Sequence, residues 1–137
     1  MNSFNFKSSV CTDKNQSERL LELGLKKETA DCIHFHTKEK GWEILVLEEG
    51  DTAKHVEGFE IPAWSLGRLI KDLMPQSIGC LELAVGSDYA GYYEDRYNSE
   101  LGMYWEYAKE TSDMFGNIIS TIEWLIKEGY FNKEYLV

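Results

Sequence analysis

Prolines are scarce in this chain, with only Pro62 and Pro75 among 137 residues. Histidines and cysteines number three each. Cys11, Cys32 and Cys80 are odd in count, widely spaced and without a CxxC pair, so a disulfide framework is excluded and reduced thiols in a cytoplasmic setting are expected. No apolar run approaches the ~20 residues that span a bilayer. The opening Met-Asn-Ser-Phe-Asn-Phe-Lys-Ser has no apolar core of the kind a secretory signal needs. GxSxG, P-loop, GxGxxG and HExxH patterns are all missing, which removes the familiar signatures of hydrolase, nucleotide and zinc-protease chemistry. Positive charge is also in deficit: 14 Lys+Arg face 24 Asp+Glu, for a formal charge of -10. Such a chain repels phosphate backbones and anionic membranes, so neither direct nucleic-acid binding nor membrane association is expected. A basic protein remains an attractive partner.

The 43% apolar and 13% aromatic content is that of a folded chain, and the length predicts one domain over 1–137, with 1–12 as a loose arm. The two prolines bracket Ile61-Pro-Ala-Trp-Ser-Leu-Gly-Arg-Leu-Ile-Lys-Asp-Leu-Met-Pro75. Within it, Leu66, Leu69, Ile70 and Leu73 recur at i, i+3, i+4, i+7. That spacing predicts an amphipathic helix capped by Ser65, with Trp64 packing at its entrance and a sheet beneath it. A first helix is expected from an Asp13 cap to about Leu23, with Gly24 as its stop. The wide apolar face of Phe115, Ile118, Ile119, Ile122, Leu125 and Ile126 predicts a last helix, capped by Thr111 or Ser112 and closed by Gly129. Between these lie β-like runs at 31–37, 42–48, 78–85, 89–97 and 102–108, separated by polar and glycine-bearing turns. Cys80, inside the third run, reads as a small core hydrophobe. The expected fold is α+β, in the order α-β-β-α-β-β-β-α. Three helices gather on one side of a mostly antiparallel sheet of about five strands.

Three segments carry a resemblance. Residues 17–31 (Ser-Glu-Arg-Leu-Leu-Glu-Leu-Gly-Leu-Lys-Lys-Glu-Thr-Ala-Asp), 61–70 (Ile-Pro-Ala-Trp-Ser-Leu-Gly-Arg-Leu-Ile) and 123–130 (Glu-Trp-Leu-Ile-Lys-Glu-Gly-Tyr) are similar to a group of small proteins from gut anaerobic bacteria and their prophages. No activity is assigned to that group. The resemblance implies a cytoplasmic setting and a phage or mobile-element origin, and it transfers no functional residue.

One pattern resembles a metal site. Cys32-x-His34-x-His36 alternates along a strand, so all three side chains would share a face, with His55 as a distant fourth candidate. Same-face neighbours on a strand stand ~6.5–7 Å apart, and three in a straight row do not close a tetrahedron. Ile33 and Phe35 turned to the core, with the other three facing water or a neighbouring strand, is the simpler account. No metal or other cofactor is expected. Adjacent acids such as Glu94 and Asp95, or Glu48 and Glu49, point to opposite strand faces and make no catalytic dyad.

The aromatic hairpin over 89–108 is the stronger functional candidate. With Tyr93 and Trp105 turned inward, Tyr92, Glu94 and Arg96 would share the outer face with Tyr104 and Glu106 of the partner strand. Aromatics mixed with charge suit a protein-binding surface, while cross-strand aromatic pairing is the structural alternative. The leading expectation is a non-enzymatic, acidic protein-interaction module using those five residues. On that arrangement, alanine at Tyr92 and Tyr104 leaves the fold intact. Two alternatives belong to other classes: a small-molecule binder or small enzyme with a pocket between sheet and helices, and an acidic DNA mimic that places carboxylates at phosphate positions on a basic host protein.

Overall fold

A computed structural model describes Phe4 and residues 9–48, 60–95 and 103–137. Helix α1 (Lys14–Glu22) begins at Asp13, whose carboxylate accepts from the Gln16 amide at 2.7 Å. Gln16 returns the bond to the Asp13 amide at 2.9 Å, completing a capping box. Gly24 then takes a left-handed turn, φ 103°, which a β-carbon would oppose. A 3₁₀ turn (Lys27–Thr29) leads into strands β1 (Cys32–Thr37) and β2 (Gly41–Val46). These pair antiparallel, Cys32 opposite Val46 and Thr37 opposite Gly41.

The proline-framed segment departs from a plain helix. Its first residues form strand β3 (Glu60–Ala63), antiparallel to β1 with Pro62 opposite Ile33. The strand order β2-β1-β3 puts β3 at an edge, where a residue without an amide N–H is tolerated. Helical geometry starts only after Ser65, whose hydroxyl accepts from the Arg68 amide at 3.1 Å as the expected cap. The turns from Arg68 to Leu73 are π-helical, ended by a Met74 amide that reaches back five residues to the Leu69 carbonyl at 3.0 Å. Leu69 and Leu73 are buried, and Leu66 and Ile70 pack half-buried beside them.

The second half forms a separate sheet in the order β4-β5-β6-β7, and every pairing in it is antiparallel. The expected single run at 78–85 is two strands, β4 (Ser77–Ile78) and β5 (Leu81–Val85). Gly79, at φ 59°, reverses the chain between them and leaves Cys80 exposed at the turn, not in the core. Strands β6 (Tyr89–Asp95) and β7 (Met103–Glu110) follow, and then α2 (Met114–Glu128). The α2 cap is Asp113, one residue beyond the expected Thr111 or Ser112; its carboxylate accepts from Gly116 at 3.0 Å. Thr111 instead donates to the buried Asn117 at 2.6 Å, and Gly129, φ 78°, ends the helix. The class is therefore α+β, as expected. The described residues, however, hold two antiparallel sheets of three and four strands rather than one of five.

One core joins the two halves. Phe115, Ile118, Ile119, Ile122 and Leu125 of α2 pack with Leu20, Leu25, Ile33, Trp64, Leu69 and Tyr92. Trp64 is fully buried and satisfies its indole N–H by donating to Thr29 Oγ1 at 2.9 Å. Arg19 Nη2 reaches Glu123 Oε2 at 2.7 Å and ties α1 to α2. A last 3₁₀ turn (Lys133–Tyr135) brings the final residues against the exit of α1. There Leu136 bridges Leu25, and the Val137 amide donates to the Gly24 carbonyl at 2.7 Å. No helix among the described residues is long and apolar enough to cross a membrane.

Candidate interaction surface

The parity of β6 decides which aromatic side chains are available. Ala90 and Tyr92 are 0% exposed and face α2, where the Tyr92 ring lies 5.7 Å from that of Trp124. Tyr107, opposite Tyr92, also stacks on Trp124, at 5.1 Å. Tyr92 donates its hydroxyl to the Pro75 carbonyl at 2.7 Å, and burial pushes its ionisation well above the ordinary value. Tyr92 therefore belongs to the core, not to the outer face expected for it.

A bulge then shifts the partner strand. Tyr92 pairs with Tyr107 but Tyr93 pairs with Trp105, which leaves Glu106 as the extra residue of β7. Glu106 is exposed at that bulge. Tyr104 and Glu94 oppose each other beyond it, on the parity of the helix-facing side rather than the outer one. Arg96 lies outside the described residues. Of the four that are described, Tyr92, Glu94 and Tyr104 share one parity, with Tyr92 buried in it, and Glu106 stands at the bulge.

The outer face carries a different set. The Trp105 ring is flanked by Tyr89 at 6.0 Å, edge to face, and by Tyr93 at 5.7 Å. Tyr93 donates to Glu82 Oε2 at 3.1 Å, which brings a carboxylate beside the aromatic row. Tyr89, Trp105, Ala108 and Glu110 line an open cleft of about 290 Å³. Two glycines shape it. Gly86 leaves room for the Tyr89 ring to lie over its backbone, and Gly91 lets β7 approach so closely that a β-carbon there would overlap the Tyr107 carbonyl. The sequence held one signal for this face: the small residues Gly91 and Ala108 sit opposite one another and make a shallow floor for larger neighbours.

The Cys32-x-His34-x-His36 row does not converge. Cys32 is buried, His34 half-buried and His36 exposed, its ring 5.3 Å from that of Trp42. His55 lies outside the described residues, and no group of three metal-ligating side chains is found among those described. A second apolar stretch is exposed on β2, at Trp42, Ile44, Leu45 and Val46. There the Lys14 ammonium already sits 4.2 Å above the Trp42 ring, a cation–π contact within the chain. No protein-family model, curated protein or solved structure matches this chain.

Proposed function

We propose that this protein is a non-enzymatic interaction module that takes a cationic side chain of a basic protein partner into the cleft of Tyr89, Trp105 and Glu110. The observation that carries the reading is the aromatic row itself: three rings, Tyr89, Trp105 and Tyr93, on one face with carboxylates at both ends. An aromatic face attracts a lysine, arginine or alkylammonium group through its quadrupole, by about 0.5–2 kcal/mol per contact. A carboxylate beside the ring adds Coulomb attraction, and the net charge of -10 steers a basic partner toward the molecule. The phage or mobile-element origin implied by the resemblance is part of the same reading.

The test uses the simplest cations of the class: tetramethylammonium and a short Lys/Arg-rich peptide. Titration is followed by the indole N–H resonance of Trp105, assigned with a Trp105→Phe variant. Saturable movement of that resonance, with the peptide binding tighter than the small cation and Trp105→Ala abolishing both, supports the reading. A Trp105 resonance that stays still while other surfaces respond assigns cation binding elsewhere and removes it.

A further inference from the structure

Two of the three cysteines, 21 positions apart in sequence, meet beneath the start of α1. Cys11 and Cys32 form a small buried cluster with Ala63, separate from the main core. The meeting is built by the backbone. The Thr12 amide donates to the Trp64 carbonyl at 2.9 Å, and the Trp64 amide donates to Thr12 Oγ1 at 3.1 Å. These bonds hold Thr12 against the exit of β3, and Ala63 of β3 is the register partner of Cys32 on β1. Cys11 is thereby held over the central strand of its sheet.

His34 completes the arrangement. Its Nε2 lies 2.7 Å from the Thr12 carbonyl and 3.9 Å from the Cys11 sulfur. A carbonyl oxygen only accepts, so Nε2 carries the proton and donates it to Thr12, with the Cys11 sulfur beside the ring at the longer distance. The same bond makes Nε2 unavailable as a metal ligand, in keeping with the lack of a metal-binding cluster among the described residues. Asp31 lies beside both thiols: its carboxylate accepts from the Ser65 amide at 2.8 Å and from the Ser65 hydroxyl at 2.5 Å, and its charge opposes ionisation of Cys11 and Cys32. Among the described residues these groups do not make a metal site, which leaves two adjacent thiols.

We propose that Cys11 and Cys32 are a two-electron redox pair, with Cys11 the thiol that reacts first with a hydroperoxide and Cys32 the thiol that resolves it. The Cys11 thiolate attacks the terminal peroxide oxygen; an S–O bond forms, the O–O bond breaks, and the departing alkoxide or hydroxide takes a proton. Cys32 sulfur then attacks Cys11 sulfur; the S–S bond forms, the S–O bond breaks, and hydroxide leaves with the Cys32 proton as water. Two thiols and one hydroperoxide give one disulfide, one alcohol or water, and one water. The division of roles follows from the neighbours. Cys32 is fully buried on the central strand, whereas Cys11 stands beside the His34 ring on the segment that leads into α1. In keeping with that placement, contact with Cys32 holds the Cys11 ionisation below the ordinary thiol value, while that contact and burial push Cys32 up. Cys11 is 3% exposed and follows Val10, which is 56% exposed, so the chain enters the interior at this thiol. Only a small oxidant is suited to that depth.

The full chain carrying Cys80→Ser, which removes the exposed competitor, is treated with graded hydrogen peroxide and read by intact mass and peptide mapping. The expected product is about 2 Da lighter, with a Cys11–Cys32 linked peptide that dithiothreitol reverses. Adding Cys32→Ser should stop the reaction at Cys11 sulfenic acid, trapped by dimedone, at a rate comparable with disulfide formation in the parent. Adding Cys11→Ser should leave Cys32 untrapped. The first experiment needs no change at either buried thiol, so it stands even where the serine variants fold poorly. Both thiols staying reduced until the chain unfolds, dimedone capture at Cys32 in place of Cys11, or stoichiometric zinc in the purified protein would each overturn the proposal.

Discussion

Replacing Tyr92 separates core from surface within one strand. The side chain is fully buried against Trp124 and spends its hydroxyl on the Pro75 carbonyl at 2.7 Å. Truncation to alanine removes an aromatic ring from a packed site and leaves a cavity, at a cost of about 3–5 kcal/mol. Tyr92→Phe keeps the ring but strands the carbonyl, at about 1–2 kcal/mol. For a domain of this size about 3 °C of Tm is lost per kcal/mol, so the two variants should melt about 9–15 °C and about 3–6 °C lower. Trp105→Ala, on the outer face of the neighbouring strand, gives up two ring contacts and should cost about 1–3 kcal/mol, less than Tyr92→Ala. Alkali supplies an independent reading of the same site. Burial raises the folded ionisation of Tyr92 above its ordinary 10.0, so the stabilising effect is full below pH 10. Above that value the unfolded chain gives up the proton first and stability falls with pH, by at most about 1.4 kcal/mol per pH unit for one group. Tyr92→Phe should flatten that slope. Denaturant melts of the four proteins at pH 7 and above 10 test both. A Tyr92→Ala protein within about 1 kcal/mol of the parent would show that the ring is not in the core and that the face assignment of the whole sheet is inverted.

Two further perturbations probe the elements around it. Gly91→Ala drives a β-carbon into the Tyr107 carbonyl, backbone against backbone, and should destabilise by about 1–3 kcal/mol in a thermal melt; a neutral result would mean that β7 does not approach so closely. The Arg19–Glu123 ion pair, with Arg19 43% exposed, should show a coupling of only about 0.2–1 kcal/mol in a double-mutant cycle. The hydrogen bond from Arg19 holds the Glu123 carboxyl below its ordinary 4.5, so that coupling is present above pH 4.5 and disappears as pH falls further, whereas a coupling that grew in acid would contradict the pair.

Helices were the most legible part of the sequence. The Asp13 cap, the Gly24 stop and the apolar face of α2 each depend on side chains within a few residues of one another, and each stands where expected. The strands were legible as runs but not as faces. Pairing Pro62 with Ile33 requires a partner 29 positions away in sequence, and nothing local to residues 60–63 marks them as a strand. One glycine, Gly79, divides a run that reads as continuous and moves Cys80 from core to surface. The candidate surface turns on a single register step: the bulge at Tyr92/Tyr93 sets which aromatics face α2 and which face out. Nothing in the alternation of β6 or β7 alone marks that step, because tyrosine and tryptophan serve equally in a core and on a rim. Cys11 and Cys32 are likewise unconnected in the sequence pattern; the hydrogen bonds that tie Thr12 to Trp64 and His34 bring them together.

The clasp between the exit of α1 and the final residues also has a kinetic meaning. Strands β6 and β7 and helix α2 follow one another directly and pack together, so their contacts close short loops. The Leu25–Leu136 bridge and the Val137–Gly24 hydrogen bond join points more than a hundred residues apart, and they complete after the rest has condensed. Leu136→Ala should then leave the refolding rate nearly unchanged and accelerate unfolding, the signature of a contact absent from the transition state. Residues 135–137 would govern how long the native fold lasts, while the β6-β7-α2 unit governs how fast it is reached.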